Sequence, residues 1–249
     1  MMSRPLPRRL LLALVGTFAL AGTAAHAAEP LRVATDATFP PMEYIENGKR
    51  TGFDTEMVEA IGKQLGRPVE WIDIDFKGQI PALQAGRADM ANSAIYITDE
   101  RAKVVDFTDP YYAGGLVVLT KKDGPIKSLK DLEGKKVAVQ VGTKSVSFLK
   151  DNFPKVERVE VEKNQEMFNL AQIGRADAAV TGKPAAKLYA QAHPDMIVLP
   201  EQITVENYGM ALPKNQPETT KAVNEALKKI RANGVYDALV VKWFEAPGK

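Results

Sequence analysis

One passage of this chain occurs twice. Leu83-Gln84-Ala85-Gly86-Arg87-Ala88-Asp89-Met90-Ala91 reads in kind against Ala171-Gln172-Ile173-Gly174-Arg175-Ala176-Asp177-Ala178-Ala179. Each copy is the end of an amphipathic helix, a glycine, Arg-Ala-Asp and a short apolar run. Glycine suits a helix stop because left-handed backbone is open to it. The apolar run suits a strand buried on both faces. A weaker echo joins residues 31–39 to residues 136–145, each a strand that runs into a loop. A plan carried twice predicts two α/β lobes of similar build, with largely parallel sheets, in place of one long sheet.

The rest of the pattern fits. Strands are predicted at 31–35, 69–74, 88–92, 116–120, 136–141, 156–161, 177–181 and 208–212. Asp54 is read as the cap of a helix that carries Met57, Val58, Ile61 and Leu65, and Asn47-Gly48 as a hairpin turn. In open α/β sheets ligands gather past the carboxyl ends of the strands. The candidate cleft is therefore lined by Asp36, Phe39, Phe76, residues 93–98, Arg101, residues 140–145 and residues 181–183. Arg101 sits in the first helical turn after Thr98, a good N-cap. A cation is unfavourable there, unless a ligand anion joins guanidinium and helix N–H groups. The plainer alternative pairs Arg101 with Asp99, Glu100 or Asp106 at the surface.

The N-terminus supplies an address. Arg4, Arg8 and Arg9 precede an apolar run from Leu10 to Ala21 and then Ala25-His26-Ala27. This is the pattern of a secretory signal peptide, residues 1–27, and the run is too short to span a bilayer. The leader takes three bases with it, so 33 bases against 31 acids become 30 against 31, a net charge of about −1. No nucleic-acid footprint remains. The chain has no cysteine, which excludes disulfides, thiol catalysis and a lipid anchor. His193 is the one histidine left after cleavage, so His-dependent triads and HExxH metal sites are excluded. No metal or cofactor is expected.

Several motifs in order resemble one family. Leu31-Arg-Val-Ala-Thr-Asp36-Ala-Thr-Phe39-Pro-Pro, Gly52-Phe53-Asp54, Ile97-Thr-Asp-Glu-Arg101, Val105-Asp-Phe-Thr-Asp-Pro-Tyr-Tyr112 and Val139-Gln-Val-Gly-Thr143 are similar to the periplasmic polar-amino-acid-binding proteins of ABC importers. The resemblance covers essentially the whole chain after the leader. It implies an α/β, two-lobed periplasmic-binding-protein fold of type II, with mixed sheets flanked by helices and a two-strand hinge. The first lobe would take residues 28–110 and 211–249, and the inserted second lobe residues 116–205. The hinge crossings would be 111–115 and 206–210. The ligand would lie in the interlobe cleft, held by hinge closure. By position, Arg101 would bind an α-carboxylate with backbone N–H groups near Tyr96 and Lys144. Phe39 and Phe76 would sandwich the ligand's stem, and Asp36 would read its far end. Ser93, Ala94, Gln140, Thr143, Thr181, Gly182 and Lys183 complete the expected binding set. The expected partners are a small carboxylate-bearing solute and an ABC permease and ATPase complex in the inner membrane. The protein is expected in the periplasm as a monomer, without nucleic acid and without membrane insertion.

Two positions depart from the family pattern. Tyr96 stands where a serine or threonine is usual, and Gly182 where an aspartate usually pairs with the α-ammonium. A buried ammonium without a counter-charge costs several kcal/mol. Either Tyr96, Asp36 or another acid replaces the aspartate, or the ligand has no ordinary α-ammonium. On the second reading, Gly182→Asp should create or strengthen α-amino-acid binding. Two other functions use the same scaffold. One is a sensory binding protein that reports to a membrane receptor. The other is a dehydratase-like enzyme with Glu43, Asp36 or Lys183 as acid or base, although no diagnostic spacing pairs them.

Overall fold

The structure, a computed structural model, describes residues 28–245. The expected leader lies outside the described residues. Two five-stranded sheets carry the fold. The first sets Val69–Asp73, Leu31–Thr35, Met90–Ala91, Ala211–Pro213 and Val105–Phe107 side by side. The second sets Glu157–Val161, Lys136–Gln140, Ala178–Gly182, Leu116–Lys121 and Met196–Val198 in the same plan. Both are parallel through the first three strands and antiparallel through the last two. The sheets are thus mixed, and the alternation of strand and helix accounts only for their parallel part.

The repeat has a common physical job in both copies. The helices Gln79–Gln84 and Asn164–Gln172 stop at glycines with φ of 69° and 76°. The N–H of Arg87 then donates to Ala82 O and that of Arg175 to Leu170 O, each at 2.9 Å, which satisfies end carbonyls of the helix. Next, the aspartate clips its strand to the start of the neighbouring parallel strand, second in the order of each sheet. Asp89 N–H donates to Arg32 O at 2.8 Å, and its Oδ2 accepts from Arg32 N–H at 3.1 Å. Asp177 repeats this with Lys136 at 2.7 and 2.9 Å. The clip satisfies backbone groups that the ladder leaves open at its end.

Helices Phe53–Leu65 and Pro217–Ala232 pack on each other over the first sheet and bury Met57, Val58, Ile61, Val223, Leu227 and Ile230. Between the sheets, Tyr112–Ala113 pairs antiparallel with Asn207–Tyr208. The single strand expected at 208–212 is therefore two, one in this ribbon and one, Ala211–Pro213, in the first sheet. Helix Lys183–Ala192 had no expected counterpart; Pro184 in its first turn is compatible with a helix start.

Asp54 does not cap its helix. Gly52 holds the N-cap at φ 119°, where a Cβ would collide with Met42 O. Asp54 lies inside the first turn and is buried, with its carboxylate turned inward. Among the described residues no helix is long and apolar enough to cross a membrane.

Candidate functional site

The carboxyl ends of the two sheets face each other across a cavity. From the first-sheet side come Asp36, Phe39, Glu43, Phe76, Ser93, Ala94 and Tyr96. From the second come Leu116, Gln140, Thr143, Lys144, Ser145, Asn164, Val180, Thr181 and Gly182, and Tyr208 joins from the ribbon. The space unfilled by atoms is ≈ 450 Å³, open solvent at its mouth included. The lobes are closed on each other.

Asp36 carries the densest set of contacts. Its Oδ1 pairs with Lys163 Nζ at 3.0 Å and accepts from Thr38 Oγ1 at 3.2 Å. Its Oδ2 accepts from Gln140 Nε2 at 2.9 Å and from Phe76 N–H at 3.2 Å. Lys163 and Gln140 reach it from the second lobe, and Lys163 also pairs with Asp75 at 2.6 Å. The carboxylate expected to read a ligand's far end is thus already held by an ammonium of the chain itself. Gln140 is committed as well, with its Oε1 accepting from Asn164 Nδ2 at 3.0 Å. Ser93 Oγ accepts from Asp36 N–H at 2.8 Å and Gln79 Nε2 at 2.9 Å, so its hydroxyl fixes the strand ends.

Two expected residues lie elsewhere. Arg101 does not line the cavity. It occupies an adjoining crevice behind Phe76, with its guanidinium 5.4 Å from that ring. Nη1 donates to Tyr96 O at 2.9 Å and Nη2 to Gly142 O at 3.2 Å, which ties the two lobes together. Thr98 Oγ1 caps the Arg101 N–H at 3.2 Å as expected, and none of the three surface acids pairs with its side chain. Burial without an anion lowers its pKa to about 10. Lys183 also points away, and its Nζ donates to Gln202 Oε1 at 2.8 Å. As the first residue of a helix it faces outward while Gly182 ends the strand.

The glycine at 182 has a specific neighbour. A Cβ there would stand 2.5 Å from Tyr208 Oη and 3.0 Å from Phe39 Cζ. Tyr208 fills the space an acid would need, so an aspartate at 182 requires Tyr208 and Phe39 to shift. Tyr208 Oη donates to Tyr96 Oη at 3.2 Å, and Tyr96 Oη accepts from Gly115 N–H at 3.1 Å. Burial raises the pKa of both phenols, so Tyr96 stays neutral and cannot stand in for the aspartate.

A buried carboxyl pair completes the wall. Glu43 and Asp54 are 2% and 1% exposed. Asp54 Oδ2 accepts from Tyr111 Oη at 2.7 Å and from Ala94 N–H at 2.9 Å. The second bond holds Ala94 at φ 47°, a left-handed conformation a non-glycine residue rarely takes. Glu43 Oε2 and Asp54 Oδ1 are buried without a hydrogen-bond partner, and the two carboxyls are near enough for each to act on the other. Burial, then the neighbouring Asp54 charge, holds the Glu43 carboxyl well above the usual range. Burial raises Asp54 to about 6, partly offset by its bonds to Tyr111 and Ala94. A single proton held between them would supply each with the partner it lacks.

Tyr208, Leu116, Asn164 and Val180 were missed as lining residues. Each lies outside the strand-end loops, and nothing local marks it. Glu43 carried a signal as an acid, but its place in the wall follows from the Phe39↔Glu43 pairing around a Pro-Pro turn.

The profile of the bacterial extracellular solute-binding proteins, family 3, matches residues 31–246. The arginine-binding extracellular protein ArtP of Bacillus subtilis (strain 168) is 34% identical over 219 residues, which covers 86% of each chain. The L-cystine-binding protein TcyJ of Escherichia coli (strain K12) is 32% identical, over 87% of this chain and 83% of that one. The ancestral amino acid-binding protein AncCDT-1, described as a precursor of cyclohexadienyl dehydratase, superposes with a TM-score of 0.82 at 43% identity. That match covers 87% of this chain and 96% of the other. Arginine, cystine and a dehydratase lineage thus share one scaffold, and the fold alone does not set the ligand.

Proposed function

This chain belongs to the bacterial extracellular solute-binding proteins, family 3, and from that premise we propose that it captures a small carboxylate-bearing solute of amino-acid size and presents it to an ABC importer. The carrying observation is a cavity walled by side chains of both sheets. A solute there is touched from both sides only when the lobes meet, so it stabilises the closed state and shifts the population towards it. The proposed hinge runs through residues 111–115 and 206–210, and the proposed route to the periplasm is cleavage of residues 1–27.

The solute's carboxylate is proposed at the start of helix Lys144–Asn152, where Thr143, Lys144 and Ser145 line the cavity. Free N–H groups of a helix start favour an anion. Arg101 lies one crevice away, beside Thr143 and Lys144. It reaches the anion by exchanging Gly142 O for the carboxylate, an ionised acceptor that the guanidinium can hold through two parallel N–H bonds. Phe39 and Phe76 flank the stem. At the far end, Lys163 on Asp36 disfavours a ligand that ends in a cation, so the proposed solute has an uncharged or acidic distal group.

The test is a thermal-shift screen of mature protein, unfolded and refolded to strip carried-over ligand. The panel sets the standard amino acids beside their desamino carboxylates. A ligand at about 100 times its Kd adds roughly 2.7 kcal/mol of stability. A shift with carboxylates and none with the matching amides supports the reading; no shift across the panel overturns it. Chemical turnover of the bound acid would move the protein to the enzyme reading.

A further inference from the structure

We infer that Glu43, backed by Asp54, is the counter-charge for a ligand's α-ammonium, in place of the aspartate that position 182 lacks. This rests on the solute-binding reading and names a residue within it. The first argument is place. Glu43 and Phe39 are directly paired across antiparallel strands, so their side chains leave the same face. A Cβ at 182 would stand 2.5 Å from Tyr208 Oη and 3.0 Å from Phe39 Cζ. Glu43 therefore enters the corner of the cavity that an acid at 182 would serve, from the opposite lobe.

The second argument is availability. Asp36 and Glu43 are the two carboxyls in the cavity wall. Asp36 is held by Lys163, Gln140, Thr38 and the Phe76 N–H. Glu43 is 2% exposed, and its Oε2 has no hydrogen-bond partner. A buried acid in a binding wall with nothing to bind is costly, unless a proton or a cation completes it.

The third argument is exchange. Before a ligand binds, one proton held by the Glu43–Asp54 pair would spare the wall two buried like charges. When an ammonium arrives, Glu43 gives up that proton to solvent through the cleft, and the ammonium keeps its own. One positive charge enters as another leaves, so the net charge of the pair with its cation stays the same. The groups that face the pair are Asp36 and Tyr208 in the cavity, Tyr111 behind Asp54 and Arg50 on the adjoining strand Lys49–Thr51. The two phenols are held neutral by burial. Arg50 Nη2 is paired with Asp73 at 2.7 Å. The exchange therefore falls to Glu43 and Asp54.

The test is calorimetry of mature protein with the standard L-amino acids and their desamino carboxylates, in two buffers of different ionisation enthalpy. Near pH 6, binding of an α-amino acid should release a proton, and its Kd should fall as pH rises from 5 to 7.5. The desamino partner should release none. Glu43→Gln keeps the shape but cannot become an anion. It should weaken α-amino-acid binding by about 30-fold or more, abolish proton release and leave desamino binding unchanged. Wild-type affinity in Glu43→Gln, or amino-acid binding without proton release, overturns the inference. So does a wild type that binds desamino acids alone, although the solute-binding reading then stands; no binding by either class overturns both. If Glu43→Gln fails to fold, the wild-type buffer and pH series decides.

Discussion

The two lobes share a scaffold and differ at its working edge. In both sheets the second strand starts on an aspartate clip, and the third, central strand follows a glycine-stopped helix. At the strand ends they part. The first lobe's wall holds Asp36, Glu43 and, behind it, Asp54, all buried; Asp36 and Asp54 are held by backbone and side-chain donors, whereas Glu43 Oε2 has no partner. The second lobe's wall is neutral apart from Lys144: Gln140, Thr143, Asn164, Thr181 and Gly182. A repeated fold can thus assign fixed charge to one half and adaptable closure to the other. Buried charges need a rigid, satisfied surround, whereas a closing surface benefits from small neutral groups that shed water cheaply.

The sharpest break of this comparison is Asp54→Ala against Gln140→Ala. The first leaves the Tyr111 hydroxyl and the Ala94 N–H buried without acceptors and should cost about 2–5 kcal/mol in urea unfolding. Gln140→Ala should cost about 1 kcal/mol, because Asn164 and Asp36 keep other partners. Equal costs would show that the second wall is as rigid as the first.

Next comes Gly182→Ala. Its Cβ would press on Tyr208 Oη and Phe39, so the closed form should lose about 1–3 kcal/mol. Small-angle scattering should then show a more open average shape. An unchanged profile would mean that Tyr208 moves freely, and that the corner at 182 is not packed as described.

The aspartate clips should differ by less. Asp89 also holds Arg32 Nη2 at 2.6 Å and Arg67 Nη2 at 3.1 Å, whereas Asp177 holds backbone and no cation among the described residues. Asp89→Ala should cost about 2 kcal/mol and Asp177→Ala about 1 kcal/mol, read as denaturant midpoints. The reverse order would remove the first lobe's advantage.

The pH response isolates the acid pair. Asp54 sits at about 6 in the fold against 3.8 as a free side chain, and Glu43 is also raised. The folded state therefore keeps protons that the unfolded chain has released. This contribution is full below pH 3.8 and is lost as pH rises through about 6. Between pH 5 and 7 the carboxyls held low, such as Asp89 and Asp131, are ionised in both states. Ligand-free protein should lose on the order of 1 kcal/mol across that window, and Asp54→Asn should flatten the slope. A wild-type slope of opposite sign would mean that the pair is ionised in the fold.

The smallest stability effect belongs to Lys163→Ala. The Lys163 side chain is 43% exposed, so losing its pairs should cost less than about 1 kcal/mol. Its effect on selectivity should be larger. With Asp36 uncovered, arginine and lysine should bind more tightly than to wild type in the same calorimetry, and no gain would show that Lys163 does not screen the cleft.

Much of the fold was legible because its signals are local. The repeat could be read since a glycine stop, a clipping aspartate and an apolar strand lie within nine neighbouring positions. Asp36, Phe39, Phe76, Ser93, Thr143 and Gly182 could be placed near a cleft because strand ends face ligands in such sheets. The sequence by itself therefore determined two lobes of one plan and most of the cavity's rim. Only the tertiary structure decided what each side chain meets. Lys163 reaches Asp36 from 127 positions away, Tyr208 reaches Tyr96 from 112, and Arg101 finds carbonyls where an anion was expected. Helix and strand signals repeat every few residues, but a carboxyl's partner, and with it the carboxyl's charge, is set by whichever distant segment is packed against it.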